Sequence, residues 1–363
     1  MAETPVTTNA VYSAIPTVQV NGQFSEKIPA QLLSMEMREQ ESGMSSVELR
    51  FSNFGSFPGG LAGLVFEDGT VFQLGTELKI FGGNVASPTE IFRGKVTGME
   101  SRYFRSGPSE LVVLAEDSLQ AARMKRRTKT WEVSSLSDIV TQIANDLGLT
   151  PRVTGIDANN VGIEQQFNES DLRFLRRLLA RYDADLQVVG DELHASPRSQ
   201  VQRKSIELDR DGQLREVRIL ADLSHQVTQV TATGWDFQQG QTISVTSQAT
   251  SFGQGSGQTG KDWLSQALTT RSEHLGQFAN LNQTEAQALA DAEFVQRMRR
   301  FVVAHGVAEG NPNLRVGSWL TLSGLGPRFS NDYYTTAAVH RFDTDNGYET
   351  EFTAESAYLG NAA

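Results

Sequence analysis

The sequence predicts a mainly β protein of the α+β class, with two strand-rich regions on either side of a short helical stretch. Three observations carry this. Short alternating apolar runs, bounded by Gly, Pro and Asn, recur before residue 120 and again after Pro197. Between them, apolar residues recur at helical spacing. The chain also holds 32 Gly in 363 residues, which suits turns and short strands better than long helices.

The elements follow in order. Thr17-Val18-Gln19-Val20 alternates and runs into Asn21-Gly22, a two-residue hairpin signal. Ser46 to Phe51, Gly75 to Phe81 and Glu90 to Val96 place apolar side chains at every second residue, as half-buried strands do. The loop Asn53 to Leu61 is rich in Gly and aromatic residues; it reads either as an ordinary loop with its Phe side chains tucked inward or as a partner-contact loop. The basic run Arg123 to Lys129 reads as a segment meeting an acidic surface or as a solvated linker.

A helix is expected from about Ser135, with Ile139, Val140, Ile143, Ala144 and Leu147 on its inner face and Gly148 ending it. A second is expected after Asn168 as N-cap, with Leu172, Leu175, Leu178, Leu179 and Tyr182 inward and Arg173, Arg176, Arg177 and Arg181 elsewhere. Asp185 to Val189, Gly190-Asp191 and Glu192 to Ala195 form a hairpin pattern. After Pro197, Asp211-Gly212 reads as a hairpin turn before strands at Leu214 to Leu220 and Val227 to Gly234. Ala249 to Gly260 reads as a flexible loop. One helix, about Thr284 to Arg300, is expected to bury Ala288, Leu289, Ala292, Val295 and Met298. Strands and turns resume from Phe301, with Asn346-Gly347 as a further hairpin signal.

Composition excludes several classes. Lys+Arg is 32 and Asp+Glu 43, a net charge of −11, the opposite of what an outer surface gripping nucleic acid needs. There is no Cys, so disulfides, thiolate metal sites and Cys nucleophiles are out. The N-terminal Met1 to Val6 lacks a secretory pattern, and the longest uncharged stretch, Phe51 to Phe66, contains Gly and Pro throughout. Cytoplasmic synthesis without membrane insertion is the expectation.

No motif marks a catalytic, cofactor or metal residue, and the chain is expected to be no enzyme. His194, His225, His274, His305 and His340 are scattered, and no HExxH, GxSxG or P-loop pattern is present. Gly253 to Gly257 lacks the strand and helix that a nucleotide loop requires. Glu207 to Gly212 resembles the start of a calcium loop, but Arg218 stands where a bidentate Glu belongs.

The two strand regions echo each other. Gly75 to Phe81, a long strand after Phe92 and a Gly107-Pro108 turn match Gly317 to Leu322, a long strand after Tyr334 and the Asn346-Gly347 turn, and Gly75 to Phe92 and Gly317 to Tyr334 each span 17 residues. Two related β regions flanking an α+β insertion account for this; generic β patterning is the alternative.

Three segments then carry a family resemblance. Phe167-Asn168-Glu169-Ser170-Asp171-Leu172-Arg173-Phe174-Leu175-Arg176-Arg177-Leu178 with Tyr182-Asp183-Ala184 is similar to the central region of phage late control protein D and VgrG-type spike proteins. Thr233-Gly234-Trp235-Asp236 resembles the family's GWD, and Trp131 to Leu149 resembles the helix before its hub insertion.

The resemblance implies a structural baseplate hub of a phage tail, tailocin or contractile injection system. It implies tube-like β-barrel domains at 1–125 and 201–363, the latter with one helix, around an α+β insertion at 126–200. It further implies a homotrimer that adapts a threefold spike to a sixfold inner tube. The partners expected are itself, a separate trimeric spike, the inner tube or tube initiator, baseplate wedge proteins and cargo passing through the channel, which an acidic lining would keep from sticking if that cargo is nucleic acid. A host-surface glycan-binding tail protein and a tail-associated peptidoglycan hydrolase are the alternatives.

Overall fold

The computed structural model describes residues 12–361 except 57–61, 85–86, 133–134, 157–162, 238 and 280–281. The first strand-rich region forms β1 (Tyr12–Val20), β2 (Leu32–Gln40), β3 (Ser46–Ser52), β4 (Glu77–Asn84), β5 (Thr89–Arg102) and β6 (Glu110–Glu116). Alternation places Met35 and Met37, Leu49 and Phe51, Leu78 and Ile80, and Leu111 and Val113 inward. They pack with Phe66 and Phe72, whose rings meet Phe51 at 5.2 and 5.1 Å. Asn21 and Gly22 have positive φ, as the turn signal requires, and β1 folds back on Gln23–Phe24.

The middle region has its own core. It contains β7 (Arg126–Trp131), α1 (Leu136–Asp146), β8 (Thr150–Val153), β9 (Glu164–Ser170), α2 (Asp171–Ala180), β10 (Ala184–Val189) and β11 (Glu192–Pro197). Ser135 caps α1 by accepting from Asp138 N. The cap of α2 is Ser170, two residues later than expected: Asn168 lies inside β9 with φ +45°. Both helices bury the expected stripes, and Phe174 is an addition, stacked on Trp131 at 5.6 Å. The basic run is no linker. Its second part is β7, paired with β9.

The last region forms β12 (Ser205–Asp209), β13 (Leu214–Ala221), β14 (Gln229–Asp236), β15 (Gln241–Thr246), α3 (Gly260–Ala267), β16 (Ser272–Ala279), α4 (Gln283–Arg299), β17 (Val302–Glu309), β18 (Trp319–Ser323), β19 (Asn331–Asp343) and β20 (Gly347–Ser356). Asp211-Gly212 turns the chain but makes no hairpin, because β12 pairs with β18 and β13 with β17. Strand β14 lies between β15 and β16 in a separate three-stranded sheet. Helix α4 covers it, burying Ala286, Ala290, Phe294 and Met298, a cleaner i, i+4 stripe than the expected one. Residues 249–260 are packed rather than free: Phe252 meets Phe294, and Gln258–Thr259 pairs with Tyr358–Leu359.

The two β regions share one 13-stranded sheet. The first unit has the spatial order β1-β4-β5-β6-β3-β2, and the second β12-β18-β19-β20-β17-β13. Renumbered along the chain, both read 1-4-5-6-3-2. The registers agree as well. Lys95↔Glu116 corresponds to Tyr334↔Glu355 (334 − 95 = 355 − 116 = 239), and Arg102↔Glu110 to Arg341↔Glu349 at the same offset. The bulge between Val96 and Gly98 recurs between Thr335 and Ala337. Leu32 and Ser34 flank a register shift against β3, as Leu214 and Glu216 do against β17 (214 − 32 = 182). One pair departs: β1 runs antiparallel to β4, whereas β12 runs parallel to β18. Since β-bulges are placed features, their recurrence marks a structural repeat that residue spacing only hinted at. The units join where β2 pairs with β19, from Gln40↔Ala337 to Ser34↔Asp343.

Candidate functional site: the junction and the exposed surfaces

The three core-bearing regions meet at a buried cluster of charges. Glu39 follows Met35 and Met37 on the inward phase of β2 and is 3% exposed. Its carboxylate accepts from Arg315 Nε at 2.7 Å and from Val316 N–H at 2.6 Å, and Gln187 of β10 donates to it at 3.4 Å. Arg198, just beyond β11, is 4% exposed; it donates to Glu41 and to Glu355 of β20 and lies 3.6 Å over the Tyr334 ring. Arg299 at the end of α4 pairs with Asp183, and Arg203 with Asp185.

Burial works against the charge of Arg198, but Glu355 and Glu41 outweigh it and hold the guanidinium above its ordinary value. Burial raises the Glu41 carboxyl, an effect Arg198 offsets in part. Removing one partner of such a pair costs about 3–5 kcal/mol, because the other charge stays buried. The cluster therefore fixes how the regions sit on one another. Sequence reading passed over it. The available signal was a charge at an inward strand position, as at Glu39 after two inward Met.

The arginines of α2 act as clasps. Arg177 pairs with Glu169 and Arg181 with Glu164, holding β9, while Arg176 donates to the Ser42 carbonyl of the first unit. In the basic run, Arg123 pairs with Glu116, Arg127 with Asp171, and Lys129 sits 3.5 Å over Trp131. These cations meet acidic groups and rings of their own chain.

The structure separates the histidines. His194 lies 3.0 Å from Glu192, His305 meets Thr353, and His225 and His274 are exposed. His340 is fully buried beside Tyr348, and burial, then nearby Arg315, pushes its imidazole down to about 3. Asp209 receives the Ser323 hydroxyl and the Asp211 N–H within its own turn. Among the described residues no group of three or more His, Asp or Glu could hold a metal, and no helix is long and apolar enough to cross a membrane.

A cleft of 760 Å³ lies where the two units meet, lined by Thr89, Glu207, Leu208, Gln213, Pro312 and Tyr348, with Arg215 in its wall paired to Glu349. In the Gly-rich loop Phe54 is exposed, while Phe57 and Gly59-Gly60 fall outside the described residues. Of the tryptophans, Trp131 and Trp319 are buried and Trp235 is exposed at the end of β14. Large apolar side chains are also exposed in two places on the main sheet, at Met99 with Tyr103 and Phe104 on and just beyond β5, and at Leu220 on β13.

This architecture recurs in solved structures. The 43 kDa tail protein of prophage MuSo2 from Shewanella oneidensis is 12% identical, with a TM-score of 0.68 over 93% of this chain and 97% of that one. An E. coli component of the type VI secretion system, described as similar to the T4 bacteriophage tail proteins gp27 and gp5, is 14% identical, with a TM-score of 0.56 over 95% of this chain and 79% of that one. A chain of the Francisella PdpA-VgrG complex is 9% identical, with a TM-score of 0.53 over 96% of this chain and 59% of that one. At these identities the likeness is one of fold. No curated protein sequence matches. The model of one family, described as the Alg8 N-terminal domain, matches residues 62–344.

Proposed function

The chain belongs to the Alg8 N-terminal domain family, and from that premise and its tail-protein fold we propose that it is a structural baseplate hub of a contractile tail or injection system, of the late control protein D and VgrG kind. Three copies form a ring, and each supplies two tube-like β units, residues 1–125 and 201–363, around the insertion at 126–200. Six units in a threefold ring let a separate trimeric spike meet a sixfold inner tube. The protein works by assembly and carries out no reaction.

The observation that carries this reading is the strand-for-strand repeat, bulges included, laid side by side in one sheet. An adaptor between threefold and sixfold symmetry needs two near-equivalent surfaces per chain, and a duplicated unit supplies them. The rigid charged junction keeps the two surfaces in fixed relation. The net charge of −11 suits a channel whose cargo must not adhere.

Light scattering on the purified chain, alone and with the spike of its particle, tests the proposal. A threefold mass is expected in at least one condition. A monomer in both would overturn the adaptor role.

A further inference from the structure

The repeat contains a contact that one half makes and the other does not. Strand β2 lies along the second part of β19. Its counterpart in the second unit is β13, which among the described residues pairs with β17 alone. The counterpart of β19 is β5. Strand β4 and Thr76 accompany β5 only as far as Val96, and from Thr97 to Arg102 the edge away from β6 has no strand partner among the described residues. Six strands of the sheet separate β13 from β5, so the two free edges do not meet within one chain.

We propose that the β13 edge of one copy pairs antiparallel with the second part of β5 in a second copy of this chain, reproducing between copies the β2–β19 junction inside each. The proposal rests on the ring reading above and names the seam by which the ring closes. The offsets of 182 and 239 between repeats convert the internal register into the external one. Arg38↔Val339 becomes Leu220 opposite Glu100 of the second copy, Met37↔His340 becomes Ile219 opposite Ser101, and Met35↔Phe342 becomes Val217 opposite Tyr103.

Side-chain burial supports that register independently. Phe342 reaches across the internal junction, is 4% exposed and belongs to the first unit's core. Its counterpart Tyr103 is 67% exposed, as a ring would be that has yet to enter a neighbour's core. Met99 and Leu220 also stand on or beside these edges as exposed apolar groups. Apolar residues along an unpaired strand edge mark a place where another strand adds. The charges depart from the internal pattern. Arg341 pairs with Glu36 inside the chain, whereas Arg218 would stand opposite Arg102. Arg102 is already held by Glu100, whose carboxylate would lie diagonal to Arg218, within side-chain reach.

The contact is head-to-tail, with different strands on its two sides, so it passes from copy to copy and, under the threefold rotation proposed above, closes into a ring. The absence of native Cys permits a direct test. Two double variants, Leu220→Cys with Glu100→Cys and Ile219→Cys with Ser101→Cys, cover adjacent rungs, one of which has the spacing a disulfide needs. Diamide accepts the two electrons and two protons released as each pair of thiols joins. Arg38→Cys with Val339→Cys, the internal counterpart of the first pair, serves as the folded control and should close within one chain.

The expected result is a non-reducing ladder ending at three copies in at least one double variant, absent from each single variant. Monomer bands alone from both, with the control closed, would overturn the seam. Light scattering on the same unoxidised samples separates the two ideas: a threefold mass without cross-links rejects the seam and keeps the ring, and a monomer without cross-links rejects both. Cross-linked pairs that stop at two copies in a twofold particle would uphold the contact and reject the trimer.

Discussion

His340 shows how one residue reads differently in sequence and in structure. In the sequence it is one of five scattered histidines. In the fold it sits on the inward phase of β19, fully buried, with Nδ1 at 2.7 Å from the Tyr348 hydroxyl. Burial and Arg315 lower its pKa from 6.5 to about 3. In that window the unfolded chain takes up a proton and the folded chain does not. Its contribution is therefore present above about pH 6.5 and is lost as pH falls toward 3, with a slope of up to about 1.4 kcal/mol per pH unit. His340→Gln removes this titration. Urea unfolding between pH 7 and pH 4 should show a shallower decline for the variant than for the parent, and equal slopes would mean that the imidazole protonates in place. Glu39 teaches the same lesson from the other side: its inward phase after Met35 and Met37 was visible, but the partner that makes it tolerable, Arg315, lies far along the chain.

At the scale of elements, local chemistry was legible and long-range pairing was not. The Asn21-Gly22 and Gly190-Asp191 turns, the start of α1 near Ser135 and the stripes of α1 and α2 all arise from neighbours in sequence, and they form as read. Strand β2 was passed over because Glu39 puts a charge on its inward phase and the shift between Leu32 and Ser34 breaks its alternation, and only pairing with β3 and β19 makes it a strand. The hairpin expected at Asp211-Gly212 failed because β12 finds a parallel partner over a hundred residues away.

The 249–260 segment is the sharpest case, since its Gly-rich composition suggests mobility while its geometry requires Gly. Gly257 has φ +119°, and a Cβ there would lie 2.1 Å from the Leu359 carbonyl oxygen. Gly257→Ala should part Gln258–Thr259 from Tyr358–Leu359. Tryptic cleavage after Lys261 should then accelerate roughly tenfold, the equivalent of about 1.4 kcal/mol of local opening. A digestion rate matching the parent would show that the segment was open already.

For the whole molecule, the question is which pieces hold a core of their own. The insertion does: every buried residue of its main cluster lies between Leu119 and Ala195. It touches the rest by Arg176 on Ser42, Asp185 on Arg203, Asp183 on Arg299, Gln187 on Glu39 and Arg198 on Glu41 and Glu355, with Met44 against its core; in an excised fragment those polar groups come to the surface, where water can solvate them. The two β units are not separable in that way. Phe342 of the second completes the core of the first, and Arg315 of the second neutralises Glu39 of the first. Cutting between them leaves a hole on one side and an unpaired charge on both. A fragment of residues 117–201 should therefore melt cooperatively and give a dispersed amide spectrum, since about 85 residues with a complete apolar core are enough to fold. A fragment of residues 201–361 should associate or aggregate, because it exposes the edge of β19 from Ala337 to Asp343 that β2 normally covers. If the 117–201 fragment gave no cooperative transition, the insertion would depend on the β units for its fold; if 201–361 stayed monomeric and well folded, the two β units would be independent bodies on a tether. A tethered pair could not hold its two faces at the fixed angle that the proposed match of threefold to sixfold symmetry would demand.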